Sequence, residues 1–225
     1  MRKIFSYLYN ILGFILILIF SVVIITENTD IVYRYYKDSI KSEFNDRTNL
    51  NVDFDSLSIK WNGLNPSIIT QNLILRNQDD NLLKSEQLII KIGLKLPSEN
   101  IMFIVEELNL VGSDLSIQYD DNKVLINDYD IFSYLNSVSR DDPMDKTKLR
   151  FSNSTINLYN IDSNVRYDLT NFNAVIFNDS ESYNLFTTFN HDNNNQIFHL
   201  ASRFRVDVNK NVSGLLYLKG ENVDY

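Results

Sequence analysis

The sequence predicts a mainly β protein held behind a membrane anchor, and three observations carry that expectation. Between Lys3 and Glu27 lie 23 residues without a charge. From Asn51 onward apolar and polar residues alternate in pairs, the period of half-buried strands. Only one later segment, residues 128–139, has a helical pattern, so roughly a dozen short strands at 8–12-residue spacing account for the rest, which points to an antiparallel arrangement.

The anchor comes first. Ile4, Phe5, Ile11, Leu12, Phe14, Ile15, Leu16, Ile17, Leu18, Ile19, Phe20, Val22, Val23, Ile24 and Ile25 supply its apolar surface. About 20 apolar residues at 1.5 Å rise span a bilayer core. A cleaved signal peptide would need small residues after its apolar run. This run ends Val22-Val23-Ile24-Ile25-Thr26-Glu27, so an uncleaved span is expected over residues 1–27 with its short tip. Arg2 and Lys3 precede the span, whereas residues 27–47 carry five acids and four bases. The positive-inside rule places the tip in the cytoplasm and the remainder across the membrane. That remainder holds 19 Lys and Arg against 29 Asp and Glu, so its net charge does not draw it to an anionic lipid surface.

Residues 28–47 follow as an amphipathic helix leaving the membrane. Ile31, Tyr35, Ile40 and Phe44 share a helical stripe, and Thr29 or Asp30 can cap the start. Residues 48–225 form the β domain. Val52, Phe54, Leu57, Ile59 and Trp61 alternate with polar residues, with a one-residue slip near Asp55-Ser56 of the kind a bulge produces. Strands are expected at 67–76, 82–94, 103–111, 114–119, 123–127, 148–151, 155–159, 165–169, 174–177, 183–190, 196–208 and 212–220. Short polar runs such as 77–81 and 119–122 punctuate them as turns. One short helix cannot cover so many strands. Either two sheets pack as a sandwich, or one curved sheet keeps an apolar face for something else. The last strand, Leu215-Leu216-Tyr217-Leu218-Lys219, has nothing after it in the chain to cover its edge, and the chain reads as the start of a longer protein.

Composition excludes much chemistry. The 225 residues include no cysteine, six glycines and three prolines, and net charge is −8. Thiolate metal sites, cysteine nucleophiles and Gly-rich phosphate loops are therefore absent, and no basic block favours nucleic acid. His191 and His199 are the only histidines and belong to no HExxH or G-x-S-x-G context. The adjacent acids Glu106-Glu107, Asp120-Asp121 and Asp141-Asp142 point to opposite faces of a strand and cannot converge as acid and base. No catalytic constellation or cofactor site is expected, and a hydrolase lacks the residues it would need.

The layout resembles the N-terminal end of the AsmA-like proteins, most closely the YhdP-type (DUF3971) subgroup. The likeness rests on the anchor and helix, on Ile40-Lys41-Ser42-Glu43-Phe44 followed by Thr48-Asn49-Leu50-Asn51-Val52, and on the stretch from Phe54 to Pro66 with Trp61, which is similar to an L-x-x-x-W-x-x-x-x-P segment. Asn72-Leu73-Ile74-Leu75 and the run from Ser85 to Ile92 look like the two strands that follow there. The run from Glu107 to Ile117 resembles a recurring hairpin with a short turn, and Leu149–Leu158 and Val212–Leu218 resemble later strands. Family members are usually much longer. The resemblance implies a Gram-negative inner-membrane protein with a periplasmic, taco-like apolar groove in a long curved antiparallel sheet, through which phospholipid moves between inner and outer membranes. Its expected partners are phospholipid acyl chains, the inner membrane and other envelope proteins. Val52, Phe54, Leu57, Ile59, Leu73, Leu75, Leu88, Ile90, Leu108, Leu110, Leu115 and Ile117 are the candidates to line the start of the groove. The competing expectation is an anchored β-sandwich ectodomain acting as a scaffold, and the path of the apolar strand faces separates the two.

Overall fold

The computed structural model describes residues 51–63, 65–77, 80–95, 102–119, 124–127, 129–130, 147–179, 182–191, 196–206 and 212–221, with Ser21 and six residues between 37 and 45. The expected anchor residues Ile4 to Ile25 lie outside this set. No helix among the described residues is long and apolar enough to cross a membrane. Of the expected exit helix, Lys37, Asp38, Ser39, Lys41, Ser42 and Asn45 have helical backbone.

Twelve strands form one open, curved sheet. They are β1 (Asn51–Asp53), β2 (Ser56–Asn62), β3 (Asn65–Asn77), β4 (Asp80–Lys95), β5 (Met102–Tyr119), β6 (Val124–Ile126), β7 (Tyr129–Asp130), β8 (Lys148–Asn160), β9 (Val165–Asn178), β10 (Tyr183–His191), β11 (Ile197–Val206) and β12 (Val212–Glu221). The spatial order is β1-β3-β4-β5-β8-β9-β10-β11-β12, with β2 beside β1 on the outer edge of β3. β6 pairs with Ile117–Tyr119 of β5, beyond the stretch that β4 occupies, and β7 pairs with β6. Among the described strands there is no second sheet to complete a sandwich.

Three sequence expectations need correction. The sheet is mixed rather than antiparallel: β5 and β8 run parallel from Glu107↔Lys148 to Tyr119↔Asn160. A parallel neighbour needs a long crossover, and residues 120–147, with β6 and β7, supply it. The expected helix over 128–139 is overturned where it is described, because Tyr129 and Asp130 pair with Ile126 and Leu125; the rest of that stretch lies outside the described residues. Finally, the expected turn at Gly112-Ser113, and the breaks at 152–154 and 170–173, are not strand ends. β5, β8 and β9 pass through all three without stopping.

Those three places belong to one feature, a crease that crosses the sheet. Asn72 in β3, Gly112 in β5, Asn153 in β8 and Asn171 in β9 all have left-handed backbone, with φ of 52°, 63°, 53° and 49°. Glu86 of β4, between them, has no ladder partner on either side, where pairing skips from Ser85 to Gln87. Asp55 sits in the gap between β1 and β2, where it accepts a 2.6 Å hydrogen bond from Asn72 Nδ2 and its N–H donates to Gln71 O at 2.9 Å. Left-handed backbone costs most L-residues about 1–2 kcal/mol, and Gly and Asn least, which explains the residue types found on this line.

Each strand shifts its alternation by one residue as it crosses. Buried or inward positions are therefore three apart rather than two: Phe54 and Leu57, Thr70 and Leu73, Leu110 and Ser113, Leu169 and Phe172. Because the strands from β1 and β2 through β9 slip together, the same face stays apolar on both sides of the line. The slip foreseen at Asp55-Ser56 is thus the first member of a row. It is not a bulge, since β1 and β2 keep one register against β3.

Candidate functional site: the apolar face

The inward face is built in transverse rows, one residue per strand. Ile59, Ile68, Ile90, Leu108, Leu149, Ile176 and Leu185 are each directly opposite the next, across seven consecutive strands from β2 to β10. All seven are half-buried. At roughly 4.8 Å between strands the row extends about 29 Å. Beside it runs Leu57, Thr70, Leu88, Leu110, Phe151, Ala174, Thr187, Leu200 and Leu218, again directly opposed. Across the crease lies a more closely packed zone. There Leu115, Ile156 and Leu169 are buried, with Leu83, Ile117, Ile126, Leu158, Phe172 and Phe189 packed against them.

The twelve expected groove residues fall on these rows. Phe54, Leu57, Leu73, Leu110 and Leu115 are buried, whereas Val52, Ile59, Leu75, Leu88, Ile90, Leu108 and Ile117 are half-buried. Val52 opposes Leu75, which opposes Leu83. The list stops at β5, and its missing continuation is Leu149, Phe151, Ile156, Leu158, Leu169, Ile176, Leu185, Phe189, Phe198 and Leu200. The alternation that found Leu108 and Leu110 is also present at Leu149 and Phe151. Its phase is lost at Asn153, so the two halves of β8 read as separate strands.

On the crease itself the inward side chains are small. Ser85, Ser113 and Ser154 are each buried to 4% exposure or less. Two of the three hydroxyls, those of Ser85 and Ser154, serve backbone groups beside the interrupted ladder. Ser85 Oγ lies 2.8 Å from both Gln87 O and Val111 O, and Ser154 Oγ accepts from the Ser113 N–H at 3.3 Å. Asn173 does the same for β8 and β9: its Oδ1 accepts from the Asn153 N–H at 3.1 Å and its Nδ2 donates to Asn171 O at 2.8 Å. On the opposite, polar face the crease opens a cleft of about 450 Å³ lined by Asn72, Lys84, Glu86, Gly112, Asp114, Asn153 and Thr155 among others.

The outward face is mainly polar over β2 to β9, although Ile69 stands opposite Ile89 there, and it holds ion pairs. Glu107 is buried and lies 2.8 Å from Lys91 Nζ and 3.1 Å from Arg150 Nε, which joins β4, β5 and β8 across the parallel seam. Burial pushes its carboxyl up, but the hydrogen bonds from Lys91 and Arg150 outweigh that and hold it below the usual carboxylate range. At the β9–β10 turn, Asp179 accepts from the Ser182 hydroxyl at 2.8 Å and from Arg203 at 3.0 Å. Its carboxyl is held down at about 2, first by the Ser182 hydroxyl, next by the Asn184 side chain, and least by the charge of Arg203.

His191 packs against Tyr167 at a tilt of 51° with ring centroids 5.8 Å apart, and His199 faces Glu221 at 3.6 Å. Glu107 of the adjacent pair Glu106-Glu107 is committed to Lys91 and Arg150. Among the described residues no group of three His, Asp or Glu side chains could hold a metal ion. No protein-family model, curated protein or solved structure matches this chain.

Proposed function

We propose that this chain is an inner-membrane-anchored envelope protein whose sheet provides an apolar track for phospholipid acyl chains moving between inner and outer membranes. The observation that carries the reading is the row from Ile59 to Leu185: seven aliphatic side chains in seven neighbouring strands, none fully buried, on a face that no second sheet covers among the described residues. A core residue is normally sealed by its neighbours, whereas these keep part of their surface open. Each CH₂ group sheltered by such a surface gains about 0.8 kcal/mol over water. A track of similar side chains holds an acyl chain equally well at successive positions, so sliding needs no catalysis. The AsmA-like resemblance of the anchor and early strands agrees with this reading. It also supplies the periplasmic setting and the phospholipid cargo.

The test is a paired charge substitution on the open row. Leu108→Asp with Ile90→Asp, in the full chain purified from a Gram-negative membrane, is expected to lower co-extracted phospholipid several-fold by mass spectrometry. The control is Asn109→Asp with Ile89→Asp on the outward face of the same two strands, which should leave lipid unchanged. Unchanged lipid in a folded Leu108→Asp/Ile90→Asp variant would sink the proposal. The scaffold alternative would then regain ground as an anchored interaction module built on a single sheet.

A further inference from the structure

We propose that the apolar face over β5 is the docking surface for a segment of the chain itself, residues 131–146, which join β7 to β8 and lie outside the described residues. Both ends of this connection are fixed. Asp130 opposes Leu125, which opposes Gln118 near the end of β5. Thr147 donates its hydroxyl hydrogen to Val105 O at 2.9 Å, and Lys148 opposes Glu107 near the start of β5. The connection therefore returns along β5 from the level of Gln118 to that of Glu107, roughly 36 Å at 3.3 Å per residue. It also passes from the β4 side of β5 to the β8 side. Strands flank β5 on both sides, and the chain from Asp130 to Thr147 reaches about 56 Å at most. It must run over one face of the sheet or the other.

The hand of the sheet selects the face. In a strand of L-residues that rises with a given side chain toward the viewer, the N–H and C=O of that residue point to the right. Ser113 faces inward, and its N–H points to Ser154 Oγ of β8. Val111 and Ser116 face outward; Val111 O accepts from Ser85 of β4, and the Ser116 N–H points to Asn127 Oδ1 beside β6. All three agree that, seen from the apolar side with β5 rising, β4 and β6 stand to the left and β8 to the right. Connections between parallel strands of one sheet are right-handed in about 98% of cases. A right-handed return to a strand on the right passes in front of the sheet, which here is the apolar side. The chemistry of the occupant agrees. Residues 131–139 carry no charge and include Ile131, Phe132, Leu135 and Val138. The inward residues of β5 from Leu108 to Ile117 are also uncharged. On the outward side the same segment would lie over Glu107 and its partners Lys91 and Arg150, and burying ion pairs costs hydration.

The absence of native cysteine makes a direct test available. Ser139→Cys is combined, in the full chain in detergent micelles, with either Leu110→Cys on the inward face or Asn109→Cys on the outward face. The two β5 positions are adjacent in sequence and differ in face. Packed layers lie about 10 Å apart, so a bismaleimide of similar length is the probe. The link from position 139 to position 110 is expected in several-fold higher yield than the link to position 109, read by mass spectrometry of the digested protein. Leu108→Cys, at a half-buried inward position, takes the place of Leu110→Cys if that variant loses its strand signal by circular dichroism. Equal yields, a preference for Asn109→Cys, or no link to an inward cysteine in a folded variant would each overturn the proposal. The readout does not involve lipid, so it stands or falls separately from the conduit.

Discussion

At one edge of the sheet the outer strand is broken into β1 and β2, and a helical residue guards it. Lys41 pairs with Asp53 and lies 5.0 Å above the Phe54 ring, and Asn45 Oδ1 accepts from the Val52 N–H at 3.0 Å. At the other edge, β12 runs unbroken for ten residues with four large apolar side chains exposed. Both strands end the same sheet, so the difference does not come from the fold class. It shows two treatments of the same hazard: interruption and ionic cover at the N-terminal edge, and at β12 an unbroken strand with no second partner among the described residues.

The largest effect that separates the edges is expected at Phe54, which is 3% exposed. Phe54→Ala should cost about 3–5 kcal/mol of stability in chemical denaturation, the range for a buried aromatic. A loss under 1 kcal/mol would mean that the guarded edge is not packed as described. Between the edges, Asn153→Val puts a β-branched residue at a φ of 53° and should cost about 1–2 kcal/mol. Asn153→Gly should stay within about 0.5 kcal/mol of the parent, because glycine accepts that conformation. If both variants behaved alike, the left-handed backbone would not be what Asn153 provides.

Glu107→Gln keeps the shape but removes the charge that Lys91 and Arg150 share. Their own side chains are 50% and 40% exposed, so solvent screens the pairs, and a loss of about 1–2 kcal/mol is expected. A pH scan tests the turn that leads into β10. Asp179 is depressed in the folded state to about 2, against an unfolded value near 3.9. Its contribution is therefore present above pH 4 and is lost as pH falls toward 2. The melting temperature of Asp179→Asn should fall less steeply between pH 4 and pH 2 than that of the parent. At the open edge, Leu216→Ser should change monomer stability by no more than about 0.5 kcal/mol, since an exposed side chain has little packing to lose. A loss there as large as at Phe54 would erase the distinction between the edges.

Much of the sheet is legible in the sequence. The alternation at Leu57 and Ile59, at Leu88 and Ile90 and at Leu108 and Leu110 gives both strand state and inward face, because those stretches cross no irregularity. Legibility fails where Gly112, Asn153 and Asn171 stand. Glycine and asparagine mark turns because they accept positive φ, and a crease inside a strand needs the same property, so the local signal is identical. What separates the two is the neighbouring strand, since Asn72, Glu86, Gly112 and Asn153 come level only after pairing. The parallel pair β5–β8 is hidden for a related reason. Nothing in residues 107–119 or 148–160 states direction, and their partnership depends on the route of the 28 residues between β5 and β8. The groove candidates run from Val52 to Ile117, on the early strands alone, and the phase of the alternation is lost further on, at Asn153.

The crease does not cross the whole molecule. Pairing is regular from β10 through β12, and the mismatch is taken up where Thr188 opposes Asn173 but Asn190 opposes Thr170. β9 therefore packs more residues into the same span than β10 does. An extra residue in one strand of a pair bends that strand and increases its twist at that point, so the irregularity that ends the crease is written into the pairing of β9 with β10 itself.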